Sequence, residues 1–167
     1  MSGVATPARW SARSRGADET AAIGKALGRA APDGAVILLE GPLGAGKTTL
    51  AQGVGVGCGV SDRVTSPTFN LILHYRGDRP FTHVDLFRLQ DAEELATLDL
   101  EETLSGSGVT CVEWPELIEG DVETPWARVR ISLESGPSGP RRLQGELAGE
   151  GWEATRAALA ERGARSA

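Results

Sequence analysis

A short apolar run that passes directly into a glycine-rich segment constrains the fold more than any other feature of this chain. The run is Ala35–Glu40 (AVILLE), and it is typical of a strand that is buried on both faces, as in a parallel sheet. Glycine-rich residues 41–46 follow, and residues 47–56 then have the apolar spacing of a helix. Strand, glycine loop and helix in this order form half of a βαβ unit, so the sequence predicts an α/β protein.

The glycine-rich segment GPLGAGKT, residues 41–48, has the spacing of a phosphate-binding loop: Gly, four residues, then Gly-Lys-Thr. Glycines permit the positive φ angles with which successive backbone N–H groups curl around an anion. The following helix adds its N-terminal dipole, the Lys47 ammonium reaches the β- and γ-phosphates, and the Thr48 hydroxyl binds Mg²⁺. Only two lysines occur in the chain, Lys25 and Lys47, and one of them stands at the position that this chemistry requires.

The rest of the chain alternates between helical patterns and short apolar strands. Further helices are predicted at residues 18–31, 91–104 and 150–162, and further strands at 70–75, 80–87, 109–113, 127–133 and 143–147. We expect 70–75 and 80–87 to form a hairpin and 127–133 to be an edge strand. The predicted fold is a P-loop NTPase-type α/β domain over residues 1–167, with a mixed, mainly parallel sheet flanked by helices. Residues 1–16 and 163–167 are expected to be poorly ordered.

Composition excludes several classes of protein. The net charge of −6 argues against a broad, sequence-independent grip on nucleic acid, so we expect any such role to run through a partner. No segment approaches the roughly 20 apolar residues of a membrane span, and the first residues lack the apolar core of a secretory signal. Cys58 and Cys111 suit a reducing cytosol and are expected to be buried apolar residues.

Two carboxylates are candidates to complete a phosphoryl-transfer site. Asp85 and Glu113 each end a short apolar strand, and acids at the carboxyl ends of strands are where this chemistry places them. Each of the two has the alternative of an ordinary solvated strand end, but because both follow a phosphate-loop pattern, at least one is expected to hold Mg²⁺ or its water shell. Thr65-Ser66-Pro67-Thr68 forms either a loop that senses the γ-phosphate or an ordinary Ser-Pro turn.

Four segments together resemble the TsaE (YjeE) family of small ATPases, which are needed for threonylcarbamoyladenosine modification of tRNA. They are GPLGAGKTTL at 41–50, SPTF at 66–69, HVDLFRL at 83–89 and VEWPE at 112–116. They stand in the family's order and at about its spacing, within a resemblance that covers roughly residues 18–133. The combination is far more specific than the glycine loop alone.

The resemblance implies a role for each matching residue. Thr48 and Glu113 are expected to ligate Mg²⁺, and Asp85 and Glu113 to be the catalytic acids. The residues expected to bind ATP are Leu43, Gly44, Ala45, Gly46, Lys47, Thr48, Thr49, Ser66, Thr68 and Trp114. Trp114 has the alternative of a partly buried core indole, and His83 is expected to be packed in its motif without acid–base chemistry.

The function implied by the resemblance is a cytoplasmic, Mg²⁺-dependent ATPase that is slow alone and acts on the TsaB–TsaD complex. Contact with tRNA is expected only through those partners, and no contact with a membrane is expected. A small-molecule kinase is one alternative, with lid arginines drawn from Arg76, Arg79, Arg141 and Arg142. A non-catalytic switch, in which bound nucleotide only sets the affinity for a partner, is the other. The chain lacks the Asn-Lys-x-Asp element that recognises guanine, which favours ATP.

Overall fold

The sheet is built around β2, the apolar strand that precedes the glycine-rich loop. The computed structural model describes residues 5–67, 70–123 and 125–167. Along the chain the elements are β1 (Ala8–Ser14), α1 (Ala17–Ala30), β2 (Ala35–Glu40), α2 (Lys47–Gly57), β3 (Ile72–Tyr75), β4 (Phe81–Asp85), α3 (Ala92–Ala96), α4 (Leu100–Leu104), β5 (Val109–Glu113), a 3-10 turn (Pro115–Leu117), β6 (Trp126–Leu133), β7 (Arg141–Ala148), α5 (Glu153–Glu161) and β8 (Arg165–Ser166).

The strands form one sheet in the order β3-β4-β5-β2-β6-β7-β1-β8. The α/β class and the mixed sheet are therefore confirmed, but the expectation of a mainly parallel sheet is wrong. Three pairings are parallel, those of β4 with β5, β5 with β2, and β2 with β6, whereas the other four are antiparallel. Short connections explain two of the four antiparallel pairings, those of β3 with β4 and of β6 with β7, because a short turn between consecutive strands permits only antiparallel pairing. The other two place β1 between β7 and β8, far from it in the sequence.

Alternate residues of β2 supply the two layers of the core. Ala35, Ile37 and Leu39 belong to the cluster that packs under α1, α2 and α5. Val36 and Leu38 belong to the second cluster, which lies on the opposite face of the sheet under α4 and the 3-10 turn. All six residues of β2 are buried, which is why this strand lacks the polar alternation of a half-exposed one. The loop that follows β2 is consequently anchored in the centre of the sheet.

Helix α2 is fixed against α1 by glycines. An added Cβ at Gly28 would lie 2.0 Å from the backbone oxygen of Val54, and one at Gly24 would lie 2.2 Å from that of Leu50. The two helix backbones therefore touch directly, which side chains at these positions would prevent. This contact holds the first turn of α2, where the glycine-rich loop ends.

The termini and several element bounds differ from the sequence-based expectations. Residues Ala8–Ser14 form β1, which pairs with β7 and carries the buried Trp10, so this part of residues 1–16 is not poorly ordered; residues 1–4 lie outside the described residues. The carboxyl-terminal segment adds β8 beside β1. Residues 91–104 form two short helices rather than one, with Asp99 as the N-cap of the second.

Strand β6 is another correction, because it lies between β2 and β7 and is not an edge strand. Its alternate residues Val129 and Ile131 are buried, whereas Arg128 and Arg130 form ion pairs with Glu40 on the neighbouring strand. The arginines therefore mark a strand with one polar face, which occurs inside a mixed sheet as well as at its edge.

Cys58 and Cys111 are both buried free thiols, as expected. Within the described ranges, no helix is long and apolar enough to span a bilayer.

Substituting Gly28 by Ala is expected to lower the free energy of unfolding by about 1–3 kcal/mol. The new methyl group would collide with the backbone of Val54, and this outweighs the gain in helix propensity of about 1 kcal/mol. The measurement is urea denaturation followed by circular dichroism. Gly120→Ala is the matched control, since an added Cβ there meets no atom within 4 Å, and it should leave the midpoint unchanged. A Gly28→Ala protein as stable as the parent would contradict the proposed backbone contact.

Candidate active site

The glycine-rich loop joins the buried strand β2 to helix α2 and needs its glycines. Gly41, Gly44 and Gly46 have φ angles of 145°, 78° and 111°, which non-glycine residues rarely adopt. At Gly41 an added Cβ would also lie 2.4 Å from the backbone oxygen of Ile131. Gly46 is the N-cap of α2, and no side chain of the described residues caps that helix. The free N–H groups of its first turn can therefore bind an anion in the concave side of the loop.

Lys47 is held back against the loop by two backbone oxygens. Its Nζ donates to the carbonyl of Gly41 at 2.7 Å and to that of Pro42 at 2.8 Å, and it lies 4.1 Å from the centroid of the Trp114 ring. Burial lowers the pKa of Lys47, and the charges of Glu113, Asp85 and Glu116 partly offset that shift. Within the described residues no ion pair includes Lys47. The ammonium is thus satisfied by neutral groups, which a phosphate could replace.

Glu113 is the centre of a buried hydrogen-bonded chain. The Thr48 hydroxyl lies 3.0 Å from Oε1 of Glu113 and donates to it, and Nε2 of His83 lies 2.6 Å from Oε2. Nδ1 of His83 lies 3.0 Å from the carbonyl oxygen of Thr65, which can only accept. Nδ1 therefore donates to Thr65, and Nε2 and Glu113 share the next proton, as imidazolium with carboxylate or as imidazole with carboxylic acid. His83 thus orients Glu113, a role that the expectation of simple packing missed.

Asp85 lies directly beside Glu113, since the two are register partners on the parallel strands β4 and β5. It accepts hydrogen bonds from the backbone N–H of Phe87 at 3.0 Å and from the Ser66 hydroxyl at 3.3 Å. Burial raises the pKa of Asp85 and the neighbouring Glu113 raises it further, whereas the Phe87 N–H, Ser66 and His83 lower it. Ser66 is therefore brought to the acidic pair, as a site role requires. Thr68, the other predicted residue of this loop, lies outside the described residues.

Trp114 follows Glu113 in a strained backbone conformation. Its φ of 58° is the only positive value for a non-glycine residue in the part of the chain that the structure describes. Such strain persists where the surrounding structure holds it, and functional sites are common locations. The half-buried indole contacts the Phe87 ring, with centroids 4.8 Å apart, as well as the Lys47 ammonium. It therefore belongs to the wall of the loop site rather than to the core.

Arg141, which the sequence suggested only as a lid residue of the kinase alternative, contacts the glycine-rich loop. From β7, its Nε donates to the carbonyl of Ala45 at 3.3 Å and its Nη2 to that of Gly44 at 3.4 Å. By holding these carbonyls outward, it fixes the loop with its N–H groups free for an anion. Nothing in the local sequence indicates this contact, because the loop and Arg141 are almost a hundred residues apart.

The oxygen atoms in this site suit Mg²⁺. The Thr48 hydroxyl and the Glu113 carboxylate are hard ligands already within hydrogen-bond distance of each other. No group of three or more His, Cys, Asp or Glu side chains that could enclose a metal occurs among residues 5–67, 70–123 and 125–167. Mg²⁺ matches this sparse set, because it usually takes one or two protein oxygens and completes its shell with water and phosphate. The residues present therefore fit the ion that the loop pattern implies.

Substituting His83 by Ala is expected to lower the free energy of unfolding by about 2–4 kcal/mol, because it removes the partner of a carboxyl group buried to 97%. Urea denaturation measures the change. His74→Ala is the matched control, because the His74 ring is exposed and, among the described residues, its side chain bonds only to Thr82. Its effect should stay within about 0.5 kcal/mol. Equal losses for the two histidines would show that the contact between His83 and Glu113 contributes nothing particular.

Substituting Asp85 by Asn is expected to raise stability at pH 7 by less than about 1 kcal/mol. Because the folded-state pKa of Asp85 is raised, the native protein binds more protons than the unfolded chain between the two pKa values. The stability of the parent protein therefore falls as the pH rises between the two pKa values. The Asp85→Asn protein does not lose this stability, because Asn carries no ionisable group. The difference between the proteins should vanish below about pH 4, where Asp85 is protonated in both states.

The check is urea denaturation at pH 7 and at pH 3.5, with Asp62→Asn as the control for the loss of one exposed carboxylate. A gain that persists at pH 3.5, or one that Asp62→Asn reproduces, would rule out burial of Asp85 as its cause.

Comparison with known proteins places this site in a family. The family described as "Threonylcarbamoyl adenosine biosynthesis protein TsaE" matches residues 14–143. The chain is 37% identical over 130 residues to the tRNA threonylcarbamoyladenosine biosynthesis protein TsaE of Treponema pallidum, covering 78% of this chain and 95% of that protein. To the protein of the same name from Bacillus subtilis it is 39% identical over 137 residues, covering 81% and 84%.

A solved structure agrees with these sequence matches. The crystal structure of Bacillus subtilis YdiB superposes with a TM-score of 0.69 at 29% identity, covering 94% of this chain and 95% of that one. The range that the family model matches, residues 14–143, contains the glycine-rich loop, Asp85, Glu113 and Arg141. The chain therefore belongs to the TsaE family, whose members take part in the biosynthesis of threonylcarbamoyladenosine in tRNA.

Proposed function

We propose that this protein is a cytoplasmic, Mg²⁺-dependent ATPase that acts on the TsaB–TsaD complex in threonylcarbamoyladenosine modification of tRNA. One observation carries the proposal. At the start of α2, the buried Lys47 ammonium is held on neutral loop carbonyls, and the next residue, Thr48, bonds to the buried carboxyl group of Glu113. A cation and a metal-ligating oxygen pair beside a glycine loop form a site for the phosphates of a nucleotide.

In this proposal the loop and the first turn of α2 bind the phosphates of ATP. Lys47 exchanges its loop carbonyls for phosphate oxygens, and the N–H groups of the loop complete the contact. Thr48 and Glu113 hold Mg²⁺, which neutralises charge on the phosphates when it is bound. The backbone contacts of Arg141 keep the loop open for the ligand.

Asp85 and Ser66 are the groups placed to act on the attacking water. The raised pKa of Asp85 makes its carboxylate a better proton acceptor than an exposed aspartate. Ser66 donates to it, and the Phe87 N–H fixes the other carboxylate oxygen, so the orientation of Asp85 is set before any ligand binds. Trp114 walls the site beside Lys47.

Two features bear on the alternative functions. Three of the four arginines considered as a kinase lid already have partners within the fold: Arg79 donates to carbonyls of residues 28, 31 and 32, Arg141 to the glycine-rich loop, and Arg142 to Glu134. This speaks against a kinase lid. The acidic balance of the chain agrees with tRNA being held by TsaD and TsaB rather than by this protein.

Substituting Lys47 by Ala is expected to weaken ATP binding at least 100-fold, because the loop loses its one ammonium group. Isothermal titration calorimetry with Mg²⁺ and ATP measures the affinity. Lys25→Ala is the matched control, since it removes the only other lysine from an exposed position on α1 and should bind ATP like the parent. Unchanged affinity in Lys47→Ala would refute the site.

The same proteins should be tested for ATP hydrolysis with and without the purified TsaB–TsaD pair. We expect slow turnover alone and a clear rise with the pair for the parent and for Lys25→Ala, and neither for Lys47→Ala. If ATP binds but the pair raises no turnover, and hydrolysis-deficient Asp85→Ala still supports tRNA modification, the chain is a nucleotide switch and not an ATPase.

A further inference from the structure

The charges of this chain are strongly segregated. Residues 89–127 contain eleven Asp and Glu residues and no Lys, Arg or His, whereas the rest of the chain contains twelve acids and all 17 Lys and Arg residues. The acidic stretch includes α3, α4 and the 3-10 turn, whose apolar residues pack on the face of the sheet opposite to α1, α2 and α5. One face of the sheet is thus covered by a strongly acidic layer. The mechanism proposed above uses only Glu113 and Trp114 of this stretch.

This acidic layer contains a groove of about 790 Å³. Leucines of α3, α4 and the turn between them line it together with Ile118, and three of these leucines, Leu95, Leu98 and Leu104, are only half-buried. The carboxylates among its lining residues are Glu101, Asp121 and Glu123, and no described lining residue is basic. The groove therefore combines an apolar floor with a negatively charged rim.

The rim charges are not neutralised within the described part of the chain, where no ion pair includes Glu101, Asp121 or Glu123. The arginine-lined cavity beside α1 and α5 is different. There Arg13 and Arg142 are paired with Glu134, and Arg15 with Glu19. Three of the five arginines that line that cavity are thus neutralised by carboxylates of the chain itself, and no described arginine is paired with a carboxylate of the groove. The unpaired carboxylates call for cations from another molecule.

We infer that this groove docks a basic amphipathic segment of a partner protein, with apolar side chains on the leucine floor and Lys or Arg side chains on the rim. Helix-in-groove recognition uses this combination of an apolar stripe and flanking charges. RNA is repelled by the same rim, because its backbone is anionic. The inference rests on the proposed function, which supplies a protein complex as the partner.

The groove is connected to the active site through a shared apolar cluster. Leu86, the residue after Asp85, packs in the same apolar cluster as Leu100 and Ile118 of the groove. Its backbone N–H donates to the backbone oxygen of Glu113 at 3.1 Å. A segment seated on the leucine floor therefore contacts the cluster that supports both catalytic carboxylates. This arrangement gives a docked partner a direct physical contact through which it can raise turnover.

The test is binding of the full chain to purified TsaB–TsaD complex, measured by biolayer interferometry with Mg²⁺ and ATP. Ala96→Trp fills the groove from an exposed position on α3, and the double variant Glu101→Lys with Glu123→Lys reverses its rim. Each is expected to weaken binding at least about 10-fold and to reduce the stimulated ATP turnover in parallel. Basal turnover and the unfolding midpoint should stay at parental values, because none of these residues is in the active site or the core.

The matched control is the double variant Glu150→Lys with Glu153→Lys, which makes the same charge change at exposed positions that do not line the groove. It should bind within about twofold of the parent, which separates local docking from long-range attraction. If the parent binds the complex and both groove variants bind equally well, the inference is overturned. Loss of binding in the control as large as in the rim variant overturns it too.

Failure of the proposed function is distinguishable, because the parent itself would then not bind the TsaB–TsaD complex. In that case the inference is tested by measuring the binding of a 14-residue helical peptide, made of Leu and Lys with one apolar stripe, to the parent and to Ala96→Trp. Binding to the parent with at least 10-fold loss in Ala96→Trp supports the inference, and equal or absent binding to both overturns it. Self-association of the parent that Ala96→Trp abolishes would also overturn it, because the occupant would be a second copy of the chain.

Discussion

The rest of the site depends on the hydrogen bonds that satisfy the buried carboxyl group of Glu113. Removing such a group from water costs several kcal/mol unless partners compensate, and here they come from three different elements. Thr48 contributes from α2, His83 from β4, and the Thr65 carbonyl holds the far side of the His83 ring. Because each partner satisfies the next, the glycine loop, the sheet and the loop that carries Ser66 are held in one fixed arrangement before a ligand arrives.

The parallel centre of the sheet makes that arrangement possible. β4, β5 and β2 run in the same direction, so Asp85, Glu113 and the glycine loop meet at one edge. The antiparallel strands on the other side have a different use, since β7 supplies Arg141 to the outer surface of the loop. A mixed sheet thus surrounds the loop with carboxylates on one side and a guanidinium on the other.

The sequence predicts the local features of this protein well. β2 and β5 have the predicted bounds, and the three glycines of the loop have the backbone angles that the phosphate-loop pattern requires. Those features are encoded within a few consecutive residues. What could not be predicted arises between distant ones: the bonds of His83 and Arg141, and the position of β6, depend on which strands become neighbours. The ordered termini have the same cause, because β1 and β8 are stabilised by pairing with each other and with β7.

The acidic stretch at residues 89–127 and the net positive remainder of the chain give the whole molecule an electric dipole moment. In the electric field of a charged partner, a protein with a dipole moment rotates as it diffuses, so its acidic side turns toward positive potential before contact. Screening limits this torque to roughly the Debye length, about 8 Å at physiological ionic strength. A chain of modest net charge can therefore approach its target already oriented, at encounter rates that decline as salt is added.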